Sequence, residues 1–312
     1  MIISASRRTD IPAYYSEWFL NRIRDGFAYV RNPMNFHQIS KISLSHEVVD
    51  AIVFWTKNPV PMMDKIDAFR DYPFYFQFTL TAYGKDIEPG LPSKNQVLIP
   101  AFCDLSKRIG RERVVWRYDP IFLNDTYTVD YHKKYFQVLA AKIGKYTEKC
   151  TVSFLDMYMN TEKNTAPLGI HVPTMEEQIE LMKSFAETAK KYDFYIDTCA
   201  EKVDLSEFGI RHAHCVDRER IERIGNFHLD IKKDANQRES CGCVASIDIG
   251  SYNTCRNGCL YCYANYDKGS VEKQTRYHDP LSPLLFGHVC EHDVIKEKKM
   301  KTLIRSQLSL FD

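Results

Sequence analysis

Residues 93–119 read SKNQVLIPAFCDLSKRIGRERVVWRYD, and this stretch holds one complete unit of the fold. Its first part predicts a helix from Ser93 to Ile109, stopped by Gly110, because apolar residues return at helical spacing and glycine favours the position just past a helix end. After it, RVVWRY from Arg113 crowds β-branched and aromatic residues into a short run, which predicts a buried strand. The same alternation repeats along the chain. Strands are predicted at IISAS from Ile2, AIVFWT from Ala51, FYFQFTLT from Phe74, CTVSFLD from Cys150, FYIDTC from Phe194 and CVASIDI from Cys243. Helical patterns run from Tyr14 to Asp25 with Gly26 as the stop, from Val129 to Lys142, and from a capping box at Thr174 and Glu177 to Lys191. Strands that alternate with helices predict a parallel sheet with the helices outside it. The seven strands counted here suit an α/β fold of the (β/α) TIM-like barrel type, complete or incomplete, better than an open sheet.

In such a barrel the active site lies at the C-terminal ends of the strands. Polar residues collect there. Ser4, Ser6, Arg7, Arg8 and Thr9 follow the first strand, Thr56, Lys57 and Asn58 the second, and Gln77, Thr79 and Thr81 share one parity of the third. Arg117 and Asp119 end the fourth, Ser153 and Asp156 the fifth, Thr198 and Glu201 the sixth. Any one of them can equally serve a loop backbone, but together they form a polar rim, with Arg117, Asp119, Gln77 and Lys57 the best candidates for ligand contact. Trp55 and Trp116 are expected to pack the barrel.

The seventh strand runs through Asp248, Ile249 and Gly250 into TCRNGCLYCYAN, where Cys255, Cys259 and Cys262 are spaced C-x3-C-x2-C. A [4Fe–4S] cluster normally takes four thiolates, so a loop of three leaves one iron for a distant fourth cysteine or for another ligand. A zinc knuckle is the alternative, although structural zinc usually draws two ligands from each of two C-x2-C turns. The motif resembles the cluster loop of the radical S-adenosylmethionine (SAM) enzymes. That resemblance implies that the open iron chelates SAM and that an electron, delivered by a donor such as a flavodoxin or ferredoxin, splits it into methionine and a 5′-deoxyadenosyl radical. The radical would then abstract hydrogen from a substrate at the barrel mouth, and the polar rim becomes a SAM and substrate pocket. Two departures stand out: the cluster strand comes last rather than first, as in a permuted barrel, and no GGE-type segment is present. Taken with SASRRTDIPAYY and FWTKNP, the late cysteine loop resembles a broad bacterial, radical-SAM-like family to which no reaction is assigned.

Ten cysteines occur in all. Cys199, Cys215, Cys241 and Cys243 flank the last two predicted strands, and four thiols suit a second [4Fe–4S] cluster or an all-cysteine zinc site, with His212 and His214 close enough in sequence to replace one ligand. Buried thiols with a redox-labile pair are the alternative. Cys103, Cys150 and Cys290 are expected in the core.

The tail ends in SQLSLFD. Gln307, Leu308, Leu310 and Phe311 resemble the short peptide by which bacterial replication and repair proteins dock on the sliding clamp, and Lys296, Lys298, Lys299, Lys301 and Arg305 could meet phosphates. The same tail could instead fold back as a cap. Residues 1–265 are thus read as the barrel with its cluster loop, and 266–312 as a helical, basic tail. With 42 Lys and Arg against 41 Asp and Glu, net charge gives no general drive towards nucleic acid or anionic lipid. No apolar run approaches a membrane span, and Arg7, Arg8 and Asp10 interrupt any signal peptide, so a cytoplasmic protein is expected. Two functions compete: a radical SAM enzyme acting on an unknown, possible nucleic-acid substrate, and a non-catalytic iron–sulfur or zinc protein linked to DNA maintenance.

Overall fold

The computed structural model describes residues 1–201 and 203–305. In chain order the strands are β1 (Ile2–Ala5), β2 (Phe27–Asn32), β3 (Asn35–Ser43), β4 (Ala51–Thr56), β5 (Phe74–Thr79), β6 (Val114–Ile121), β7 (Lys149–Phe154), β8 (Tyr195–Thr198), β9 (Arg211–His212), β10 (Ile247–Asp248) and β11 (Val294–Glu297). The α-helices are α1 (Ile11–Tyr14), α2 (Ser16–Asp25), α3 (Val60–Met63), α4 (Ile99–Ile109), α5 (Val129–Ile143), α6 (Met159–Thr165), α7 (Met175–Lys191), α8 (Arg218–Gly225) and α9 (Lys268–Thr275). The helix expected from Ser93 opens with a wider turn, Lys94–Leu98, before α4 begins.

Eight strands form one parallel sheet in the order β10-β1-β4-β5-β6-β7-β8-β9. Its strands read as almost unbroken apolar runs because both faces are covered. One face, with Ile52, Phe54, Phe76, Trp116 and Val152, packs under the helices, where Trp116 stacks on Phe136 of α5 at 4.8 Å. The opposite parity, with Ile2, Ala51, Val53, Tyr75 and Val115, packs against residues from the 199–244 stretch. Side chains of separated strands meet on this second face. Arg7, just past β1, and Arg117, on β6, reach the same Trp55 ring at 5.1 and 5.2 Å although their strands are three places apart in the sheet. Among the described residues the end strands β9 and β10 are not paired with each other, so the hydrogen-bonded sheet is an open one.

A second sheet, β11-β3-β2, combines an antiparallel hairpin with a parallel strand from the tail. The 266–305 stretch, read as helical and basic, contributes one short helix and then this exposed strand. It is tied to the start of the chain: Trp18 Nε1 donates to Ser282 O and Arg22 Nη2 to Leu281 O, both at 2.9 Å, and Leu303 N donates to Asp50 at 2.9 Å. Gln307, Leu308, Leu310 and Phe311 lie outside the described residues. No helix among the described residues is long and apolar enough to cross a membrane.

Candidate functional site

Asp10 is the point where the N-terminal segment, the FWTKNP segment and the cysteine loop meet. Its Oδ1 caps α1 through Ala13 N at 3.0 Å and accepts from Thr56 Oγ1 at 2.7 Å, while Oδ2 accepts from Lys57 N at 2.8 Å and Asn257 Nδ2 at 3.0 Å. Burial raises the Asp10 carboxyl, and these donors only partly offset it. Tyr14 OH donates to Asn257 Oδ1 at 2.7 Å and Tyr15 OH to Thr254 O at 2.6 Å, so the last residue of α1 and the residue that caps it grip the loop that carries Cys255. From the other side the segment after β5 grips it again. Gly90 N donates to Asn257 O at 3.0 Å and Leu260 N to Ile87 O at 3.1 Å. A Cβ on residue 90 would stand 2.5 Å from Asn257 O, which is why glycine is required there.

Beneath this loop lies a buried charge network. Glu88 accepts from Lys57 Nζ at 2.9 Å, Lys94 Nζ at 2.7 Å, Thr81 Oγ1 at 2.9 Å and the Tyr261 hydroxyl. Burial alone would raise the Glu88 carboxyl, but Lys57 and Lys94 overcome it and hold it at about 2. The Lys57 ammonium, one of four expected ligand-binding groups, is thereby committed to Glu88 and Tyr261 while its residue lines the cavity wall.

A cavity of about 830 Å³ opens at the C-terminal ends of the strands, and seven cysteines line it. Cys255, Cys259 and Cys262 form one wall. Burial raises all three thiols, Cys259 to about 12, with Asp10 and the two other cysteines adding to the rise at Cys255. Cys259 packs against the aromatic group of Tyr83, Phe122 and Tyr261, in which Tyr83 and Phe122 stack at 4.3 Å. Thr9 Oγ1 and Asn265 Oδ1, on residues lining the same cavity, are buried without a hydrogen-bond partner.

Cys199, Cys215, Cys241 and Cys243 lie on the wall formed by the ends of the sheet. Their thiols run in a file: Cys199 against Cys215 with sulfurs 3.3 Å apart, Cys215 against Cys243, and Cys243 against Cys241. Among the described residues no three His, Cys, Asp or Glu side chains already surround a common point as ligands of one ion. Arg117 joins this file to the rim. Its Nη1 donates to Cys215 Sγ at 3.0 Å and lies 3.4 Å from Gln77 Oε1, and its Nε donates to Asp119 Oδ2 at 3.0 Å. Gln77 Nε2 in turn donates to Cys215 O at 2.8 Å. Two of the four expected rim residues, Arg117 and Gln77, thus converge on Cys215, and Asp119 joins them through Arg117, whereas Lys57 serves the opposite wall. The neighbouring thiols and the positive charges of Arg117 and Lys149 hold the Cys215 thiol well below its ordinary range.

Trp55, expected as packing, instead lines the cavity with two guanidiniums against its ring and its indole N–H on Ser4 Oγ at 3.1 Å. Of the three cysteines expected in the core, Cys150 is fully buried, Cys103 is half-buried and Cys290 is exposed in a turn of the tail. Sequence reasoning missed Glu88, Lys94 and Asn257. Only Asn257, inside the C-x3-C interval, carried a positional hint.

Comparison with curated proteins and with solved structures returned no match. A family model described as a domain of unknown function, DUF1848, matches residues 2–264 and so ends just past Cys262. The chain therefore belongs to the DUF1848 family.

Proposed function

We propose that this chain is an iron–sulfur radical SAM enzyme, with Cys255, Cys259 and Cys262 holding a [4Fe–4S] cluster and with SAM and a substrate sharing the adjoining cavity. The observation that carries the reading is that the three thiols of one C-x3-C-x2-C loop line the same deep cavity as a set of buried, partnerless polar atoms. A volume of about 830 Å³ lies within the roughly 300–1,000 Å³ of small-molecule and cofactor sites. In this reading the curled parallel sheet is an incomplete TIM-like barrel whose cluster strand, β10, comes last. When bound, the cluster would supply the single electron that cleaves SAM.

The chain's own residues do the rest. Asp10, Asn257 and Gly90 fix the backbone of the loop that carries the three cysteines, which limits what must be ordered on binding. Tyr83, Phe122 and Tyr261 give the Cys259 side a dry wall, which limits solvent access to a thiolate-bound metal. Arg7 and Arg117 both lie against the Trp55 ring, where they can hold an anionic group of SAM or substrate.

The test is anaerobic reconstitution with iron and sulfide. The wild-type chain should acquire about four irons at this site, and a chain with Cys255, Cys259 and Cys262 all replaced by Ala should lose them together with measurable SAM binding. Retention of that iron in the triple variant would overturn the reading.

A further inference from the structure

We propose that Cys199, Cys215, Cys241 and Cys243 form a separate metal site that takes a single zinc-class divalent cation and closes the seam between β9 and β10. The proposal is independent of the cluster reading. The four thiols come from both sides of the gap in the sheet: Cys199 follows β8, Cys215 follows β9, and Cys241 and Cys243 precede β10. Backbone contacts across the gap are sparse at this point. Val244 N donates to Val216 O at 3.1 Å, and Val216 N donates not to a carbonyl but to Cys243 Sγ at 3.3 Å. Sulfur therefore stands where a sheet would place an oxygen.

Donor type and number point to a structural cation, because four thiolates are a complete tetrahedral set. Spacing selects a single ion over a cluster. With metal–sulfur bonds of about 2.3 Å, sulfurs that share one tetrahedral ion lie about 3.8 Å apart, whereas cluster thiolates bind separate irons and stand further off. The Cys199 and Cys215 sulfurs are 3.3 Å apart. In the proposed site the outer side chains, Cys199 and Cys241, rotate inward from this file to bring the four sulfurs around one ion. Cys241 and Cys243 are too close in sequence for an unstrained disulfide, but a shared ion suits them.

The charges agree. Four thiolates around a dication leave two negative charges, and positive groups line the same cavity to offset part of them: Arg117, whose Nη1 is 3.0 Å from Cys215 Sγ while its Nε holds Asp119, and Arg7, whose Nη2 is buried without a partner.

The experiment uses the full chain carrying Cys255→Ala, Cys259→Ala and Cys262→Ala, so that failure of the cluster reading and failure of this one are separable. Purified without added iron, it should contain about one zinc per chain, and after stripping it should take up Co²⁺ with thiolate-to-cobalt charge-transfer and tetrahedral d–d bands. Adding Cys215→Ser and Cys243→Ser should abolish both signals, and chelation should lower the melting temperature by about 5 °C or more. If the triple variant does not fold, alkylation mapping of the wild-type chain replaces it. Chelator should then expose these four cysteines to iodoacetamide, and added zinc should protect them again. Absence of zinc and of cobalt bands, unchanged alkylation on chelation, or a Cys199–Cys215 disulfide in the chain as purified would overturn the proposal.

Discussion

The two cysteine-bearing walls of the cavity are built in opposite ways. Around Cys255–Cys262 the loop is fixed by neighbouring backbone and by buried carboxylates: α1 and the segment after β5 hold it from either side, and Asp10 and Glu88 satisfy the groups beneath. Around Cys199–Cys243 the sheet runs out, and sulfur contacts and a guanidinium replace backbone pairing. On the proposed reading, cysteines on the wall that the polypeptide already makes rigid serve chemistry and those at the seam serve structure, so perturbing each wall should have distinct consequences.

The largest effect is expected at Glu88. Replacing it with Ala leaves Lys57 and Lys94 buried without their counter-charge, a loss of about 3–5 kcal/mol of stability in urea unfolding. Glu88 also predicts a pH signature. Its folded value of about 2 lies below the ordinary 4.5, so its contribution is fully present above pH 4.5 and is lost as pH falls from there towards 2. The shift corresponds to about 3 kcal/mol. Glu88→Gln should therefore unfold with a visibly flatter pH dependence than wild type between pH 5 and pH 3; identical slopes would remove Glu88 from the wall's support.

Next is Gly90→Ala. The added methyl meets backbone oxygens of Arg256 and Asn257, so a cost of about 1–3 kcal/mol is expected. Iron uptake at the cluster loop should fall while zinc at the seam stays, and loss of both together would mean that the walls are not independent. Arg117→Ala acts across the cavity. Removing one charge-assisted donor should weaken SAM binding about tenfold with cluster iron unchanged, read by isothermal titration. The smallest effect belongs to Cys290→Ser. Exposed and remote from both walls, it should change stability by less than about 0.5 kcal/mol and leave metal content untouched.

Each of the seven strands of the main sheet read from the sequence is present, since AIVFWT and its counterparts are buried on both faces and leave a dense apolar signal. CVASIDI shrinks to the two residues of β10 because Cys243 and Val244 turn away to the seam. The small sheet was illegible for the opposite reason: β3 is half-exposed over much of its length and β11 is exposed throughout, so neither shows a clean alternation. The cysteine loop and the Arg117, Asp119 and Gln77 cluster were legible from spacing and from strand ends. Glu88 was not, because its partners Lys57, Lys94 and Tyr261 are gathered only by the fold and no local period marks a loop carboxylate.

Product analysis after anaerobic incubation of the reconstituted chain with SAM and dithionite tests the proposed radical reaction most directly. Wild type should release 5′-deoxyadenosine and methionine, and the variant with Cys255, Cys259 and Cys262 replaced by Ala should release neither. Formation of 5′-deoxyadenosine by that variant, or its absence from a wild-type chain that carries about four irons at the loop, would contradict the account.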